Sequence, residues 1–230
     1  MPKGALLDSL RGGLIVSCQA REGWPMYGAS VMAAFAKAAQ QGGAVAIRAN
    51  LPENIRAIRQ AVNLPILGIY KQQHEFCDVF ITPTYLTAKE IIAAGASIIA
   101  MDGTSRRRPG GEKLADIVGR IKREYPDILI MADCATAEEC KACEEIGFDI
   151  VSSTLRGYTA DTIGMDKFDV QNIRNTARMV TVPIIAEGHV STPAEAKAAL
   201  EAGAYAVVVG TAITRPEAIT ERFVNEMKAL

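Results

Sequence analysis

Four times in this chain a helix-length segment closes on glycine and passes into a short apolar run: QQGGAVAIRAN, AAGASIIAMDGT, EIGFDIVSST and EAGAYAVVVGTA. The glycines concerned, Gly43, Gly95, Gly147 and Gly203, lie roughly 52 to 56 residues apart. Between them runs a second series, GGLIVSCQ, NLPILGIYK, YPDILIMAD and TVPIIAEG. These eight runs are rich in Val and Ile with little polar alternation, the pattern of strands covered on both faces. Each is followed by an amphipathic stretch of helical length, from ASVMAAFAKAAQQ to RPEAITERFVNEMKAL. Thr136 and Thr192, each with a glutamate three residues on, suit N-cap positions, and the glycines suit the left-handed position after a helix. Strand and helix alternating eight times predict a parallel (β/α)8 TIM barrel rather than an open sheet, as one catalytic domain over residues 1–230. The longest connection is expected at residues 74–86, HEFCDVFITPTYL, as a short extra strand or a substrate-facing loop.

Charge and cysteine usage remove several functions. With 25 basic and 26 acidic side chains, the chain has no overall field to attract nucleic acid or an anionic membrane. The N-terminal MPKGALLDSLRGG has no continuous apolar core of a signal peptide, and no run is long enough to span a bilayer, so a cytoplasmic protein is expected. The five cysteines include one C-x-x-C, Cys140 and Cys143, but it falls in a helical stretch without partner ligands, and reduced thiols are the plain reading. The only two histidines, His74 and His189, fall in loops without metal-ligand spacing, so no metal is expected.

In a barrel of this kind the C-terminal ends of the strands face the active site. Read in order, those ends are Gln19, Arg48, Lys71, Asp102, Asp133, Ser153 or Thr154, Glu187, and Gly210 with Thr211. The opposite ends are mostly Gly, Ala, Pro or hydrophobes, so the polar groups converge on a shared pocket. Gly188 and Gly210, in the loops after strands seven and eight, allow backbone N–H groups to approach an anion beside a helix N-terminus, where many barrels hold a phosphate. Arg215 stands at the rim of the same region. Lys71 and Glu187, on strands three and seven, face each other across the mouth. The run PILGIYK is apolar up to Lys71, so its amine either reaches water or sits in a pocket with a task.

Several stretches together, SCQAREGWPMYG, AIRAN, PILGIYK, DVFITPT, MADCAT, IIAEGHVSTP and VVVGTAITRP, resemble the N-acetylmannosamine-6-phosphate 2-epimerase (NanE) family of bacterial sialic acid breakdown. The resemblance extends from Gln19 to Arg215. It implies a (β/α)8 barrel of the phosphate-binding type that interconverts N-acetylmannosamine 6-phosphate and N-acetylglucosamine 6-phosphate, without a cofactor and commonly as a homodimer. By the same resemblance Lys71 is the central acid/base residue and Glu187 its companion at the reacting carbon. Gln19, Arg48, Asp133 and Arg215 match substrate-binding positions, and Gly188 and Gly210 with Thr211 match the phosphate loops. Arg156 and Tyr158, in STLRGYT, fit a loop that covers the substrate.

That chemistry asks for such groups. The proton on the carbon bearing the N-acetyl group is acidic only beside a carbonyl, so the sugar reacts as the open-chain aldehyde. A lysine with an ordinary pKa near ~10.4 is protonated at neutral pH, and an apolar pocket moves it toward use as a base. Arg48 and Gln19 are candidate donors to the developing oxyanion. The residues leave open whether Lys71 works alone or with Glu187 from the opposite face. A Schiff-base aldolase or lyase, another phosphosugar isomerase, or a non-catalytic phosphosugar sensor on the same barrel are the alternatives.

Overall fold

The computed structural model describes residues 2–229 and closes eight parallel strands into a barrel in sequential order. The strands are β1 (Leu14–Cys18), β2 (Ala46–Asn50), β3 (Ile66–Ile69), β4 (Ile98–Asp102), β5 (Leu129–Asp133), β6 (Ile150–Ser152), β7 (Ile184–Ala186) and β8 (Ala206–Val209). Closure is made by β8 lying beside β1, with Val207 opposite Leu14. The first helix, α1 (Lys3–Asp8), precedes β1. The outer ring follows as α2 (Ala29–Gln41), α3 (Pro52–Ala61), α4 (Tyr85–Ala93), α5 (Leu114–Glu124), α6 (Ala137–Ile146), α7 (Val170–Met179) and α8 (Pro193–Glu201). After β8 come a single turn, α9 (Thr211–Thr214), and then α10 (Pro216–Lys228). None of the helices among the described residues is long and apolar enough to cross a membrane.

Local signals account for the helix ends. Thr136 and Thr192 cap α6 and α8 in reciprocal boxes with Glu139 and Glu195, as their spacing predicts. A third box, Thr84 with Thr87, starts α4 two residues earlier than the stretch TAKEIIAAG suggests. The repeat glycines all have positive φ, between 91° and 108°, where a side chain would be strained.

The core has two layers divided by the pleat of the strands. Val16, Ile47, Ile66, Ile99, Ile130 and Val151 face the helices, while Ile15, Ala46, Leu67, Ile98, Leu129 and Ile150 fill the barrel. Because side chains alternate across a strand, the inward positions continue upward to Gln19, Arg48, Lys71, Asp102, Asp133, Thr154 and Glu187. Helix α1, which the repeat does not predict, puts Leu6 beside the inner layer together with Leu10 of the following turn, and so seals the N-terminal end.

Three features are not contained in the repeat. The longest connection is not residues 74–86 but the β6–α7 loop, residues 153–169, which carries a short 3₁₀ turn at Ala160–Thr162. The β3–α4 connection folds back on itself instead: Gln72 N–H donates to Phe80 O at 2.9 Å, Thr82 N–H donates to Tyr70 O at 2.8 Å, and Lys71 pairs antiparallel with Ile81. Buried Ile81 anchors this excursion in the inner core. Finally, α10 buries no residue at all, leaving Phe223 69% and Met227 71% exposed.

Candidate active site

Arg48 is the centre of the barrel mouth. It does not end β2 but stands third of its five residues, which places its guanidinium deep enough to be 1% exposed. Two parallel bonds tie it to Asp133 at the end of β5, from Nη2 to Oδ2 at 2.7 Å and from Nη1 to Oδ1 at 3.2 Å. Such a fork is the arrangement in which a buried ion pair recovers most of its desolvation cost. Ser152 Oγ and Thr154 Oγ1 donate to the same Asp133 Oδ1 at 3.1 and 2.8 Å, fixing the carboxylate from the β6 side.

Glu187 follows β7 and brings Oε2 within 3.1 Å of Arg48 Nη1, too far out of line to form a hydrogen bond. Its backbone is held by Ser153, whose Oγ donates to Glu187 O at 2.7 Å and accepts from Glu187 N–H at 3.1 Å. Burial pushes the carboxyl up to about 7; Arg48 opposes the rise and Asp133 adds to it.

Lys71 lies two residues beyond β3, in the bridge to Ile81, rather than on the strand's last residue. Asn50, which ends β2, accepts Lys71 N–H through Oδ1 at 2.8 Å, so the register of β2 sets the position of the lysine backbone. Burial, with nearby Arg48 acting in the same sense and Glu187 opposing, lowers the amine to about 8. With three strands between them on either side, β3 and β7 are diametrically opposed. Among the described residues no carboxylate forms an ion pair with the amine.

Four polar groups of this set make no hydrogen bond within the protein among the described residues: the Lys71 amine and, all three buried, Arg48 Nε–H, Gln19 Oε1 and Glu187 Oε2. Gln19 Nε2 donates to Ser17 Oγ at 2.8 Å, so the amide faces the mouth with its carbonyl. Gln19 thus offers an acceptor there, and its Nε2 keeps a second N–H beside the one given to Ser17. Arg48 keeps its Nε–H as a donor.

The remaining candidates divide between two places. Gly210 opens α9, where the N–H groups of Thr211 and Ala212 have no acceptor within the turn, and Arg215 follows at the rim. Gly188 has φ 99° and lies against the carbonyls of Ser153 and Thr154. Arg156 is not part of the Arg48 cluster. It pairs with Asp169 at 2.8 Å and lines an open cavity of about 600 Å³ with Lys167 and Phe168, beside the loop that carries Gly188. Tyr158 is exposed and stacks on His189, with ring centroids 5.2 Å apart. Asp102 is turned to a structural task, accepting from Thr104 and Arg106. The C-x-x-C thiols point into the core, Cys143 toward Gly103 O at 3.1 Å and Cys140 toward Ser152 O at 3.7 Å.

Sequence reasoning missed Asn50 and Ser152, although AIRAN and DIVSST contain both at inward parity. Ser17, which the sequence does not single out, orients Gln19.

Comparisons with known proteins agree over nearly the whole chain. The profile of the family described as "Putative N-acetylmannosamine-6-phosphate epimerase" matches residues 32–229. Two relatives described as "Putative N-acetylmannosamine-6-phosphate 2-epimerase" come from Caldanaerobacter subterraneus and Listeria welshimeri. The first is 51% identical over 97% of this chain and 94% of its own, the second 48% identical over 96% and 94%. The solved structure of the N-acetylmannosamine-6-phosphate 2-epimerase from Clostridium perfringens superposes with a TM-score of 0.93 at 42% identity, covering 96% of both chains. A thiamine phosphate pyrophosphorylase from Pyrococcus furiosus, at 17% identity and a TM-score of 0.62, shares the fold alone.

Proposed function

The chain belongs to the N-acetylmannosamine-6-phosphate epimerase family, and from that premise we propose how its barrel mouth carries out the reaction. The enzyme is an isomerase that inverts C2 of N-acetylmannosamine 6-phosphate, which yields N-acetylglucosamine 6-phosphate, a step of amino-sugar metabolism. Lys71 and Glu187 work from opposite faces of the open-chain sugar. The neutral Lys71 amine takes the C2 proton, the electron pair moves onto the C1 oxygen as an enolate, and protonated Glu187 returns a proton to the other face. The reverse direction starts from ammonium and carboxylate. Both arrangements hold one proton between the two groups, and values of about 8 and about 7 leave both accessible.

The observation that carries this reading is the set of polar atoms without a hydrogen bond at the mouth, shared by the opposed acid and base with Arg48 and Gln19. Arg48 Nε–H is a fixed donor for the enolate oxygen, and Gln19 Oε1 is an acceptor for the acetamido N–H. Asp133 holds Arg48 in place. The phosphate lies against Gly188 and Gly210, the free N–H groups of Thr211 and Ala212, and Arg215, while Arg156 borders its approach from the β6 side. A Schiff base is not required, since Lys71 serves as a base.

Incubation with N-acetylmannosamine 6-phosphate in deuterated water tests the division of labour. At low conversion, NMR is expected to show deuterium at C2 of the product and protium retained in the recovered substrate. Equal early labelling of both pools would assign both faces to one base, and a sodium borohydride-trapped adduct on Lys71 would revive the lyase reading.

The functional unit is a homodimer in a cytoplasmic setting, in keeping with five unbridged cysteines. Helix α10 supports the dimer: it contributes nothing buried to its own barrel, yet presents Phe223, Val224 and Met227 along one stretch. Such a face costs solubility unless it is covered. Phe223→Glu with Met227→Glu is expected to turn a dimer into a monomer by light scattering after size exclusion. A wild-type chain already monomeric at micromolar concentration would remove this part of the reading.

A further inference from the structure

We propose that Trp24 is the positioning residue of a two-arginine clamp, Arg215 with Arg21, that grips the 6-phosphate at the rim of the barrel. The inference rests on the phosphosugar reading above and adds residues that it does not use. Trp24 lies in the loop between β1 and α2, where Trp24 N–H donates to Arg21 O and Tyr27 N–H to Trp24 O, both at 3.0 Å. The half-buried indole packs on the outer core, so its orientation is set by the protein interior. The Arg215 guanidinium stands over it 4.0 Å from the ring centroid, and that of Arg21 at 5.4 Å.

Two cations gathered over one indole repel each other, and a single carboxylate offsets them. Glu217 Oε1 accepts from Arg215 Nε at 2.8 Å. That bond occupies one edge of the guanidinium and the indole occupies a face, which leaves both terminal nitrogens without a protein partner among the described residues. Arg21 makes no ion pair among those residues. The cluster thus carries one excess positive charge with donors unspent, at a rim where an exposed cation–π contact gains little stability for its own sake. A dianionic phosphate supplies what is missing, and forked guanidinium donors match its geometry. Arg215 directly follows α9, whose first N–H groups are open, so clamp and backbone donors address one place. Arg21 also lies near enough to Lys71 to depress its amine, so the clamp opens onto the same mouth.

Steady-state epimerisation by the full chain, with inorganic phosphate as a competitor, tests this. Trp24→Ala is expected to raise KM about fivefold with kcat held within about twofold, and to weaken phosphate inhibition by the same factor, because the guanidinium loses its platform. Trp24→Phe restores most of the loss, and Arg21→Gln raises KM several-fold. An unchanged KM in Trp24→Ala, a fall in kcat alone, a Phe variant as impaired as Ala, or a wild type that phosphate does not inhibit would each overturn the clamp. Should Trp24→Ala fail to fold by circular dichroism, Arg21→Gln decides: an unchanged KM overturns the proposal. A wild type that turns over no substrate would sink the epimerase reading instead, and calorimetry with inorganic phosphate would still judge the clamp.

Discussion

Lys71→Met protein is expected to fold normally and to epimerise ~100- to 10,000-fold more slowly, the range that a positioned proton-transfer group commonly supplies. The fold should survive because the protein uses only the lysine backbone, through Asn50 Oδ1, and leaves the amine unpaired. Methionine keeps the unbranched stem. Stability also has a direction. In the folded protein the amine is lowered to about 8 from 10.5, so between those values the unfolded chain binds more protons and wild-type stability rises with pH. Below pH 8 wild type bears the full cost of a buried ammonium, and the variant does not. Lys71→Met should therefore melt no lower than wild type at pH 7, with any advantage shrinking as pH climbs from 8 to 10.5. Activity has its own pH signature, since the proposed mechanism needs one proton held across Lys71 and Glu187. Wild-type kcat/KM should form a narrow bell, falling below about 7 as the carboxylate is protonated beside an ammonium, and above about 8 as the amine and the carboxyl both lose their protons. Near wild-type turnover by well-folded Lys71→Met would remove the lysine from the chemistry.

The barrel was legible because two periodicities in the sequence agree: glycine-closed helices about every 52 to 56 residues and apolar runs between them. The polar rim at its mouth was legible for a related reason. Once a strand's first inward residue is known, parity assigns every second residue to the barrel interior, and the polar groups of seven strands fall on that parity. What stayed hidden depends on depth and partners, which parity does not contain. Arg48 reads as a strand end, yet it stands lower, where a guanidinium reaches Asp133 and Glu187 at once. Lys71 owes its place to a chain reversal through Ile81 and Thr82 that no strand-length pattern encodes. Gln19 has the predicted position, but its orientation is set by Ser17, a contact that parity does not contain. Helix α10 looked like any barrel helix in its apolar spacing, and only its lack of a covering surface sets it apart.

The largest stability loss is expected from Arg48→Met. Removing the guanidinium leaves Asp133 with hydroxyl donors alone and sets Glu187 against a second buried carboxylate. Breaking a buried pair from one side costs about 3–5 kcal/mol, which in a chain of this size lowers Tm by about 6–20 °C. The deficit should depend on pH in a known sense. Without Arg48 the buried Glu187 carboxyl binds its proton more tightly still than in the unfolded chain, so the folded variant loses stability as pH rises from about 4.5 through its raised value. Denaturation at pH 5 and pH 8 should show a smaller gap from wild type at pH 5. A gap that is the same at both would mean that Arg48 contributes packing only. Residual activity should move as well. Arg48 depresses both Lys71 and Glu187, so its loss raises both and carries the optimum of the bell to higher pH. Falling stability and an alkaline shift in the same variant would trace to one cause, the positive charge that lets acid and base share a proton near neutrality.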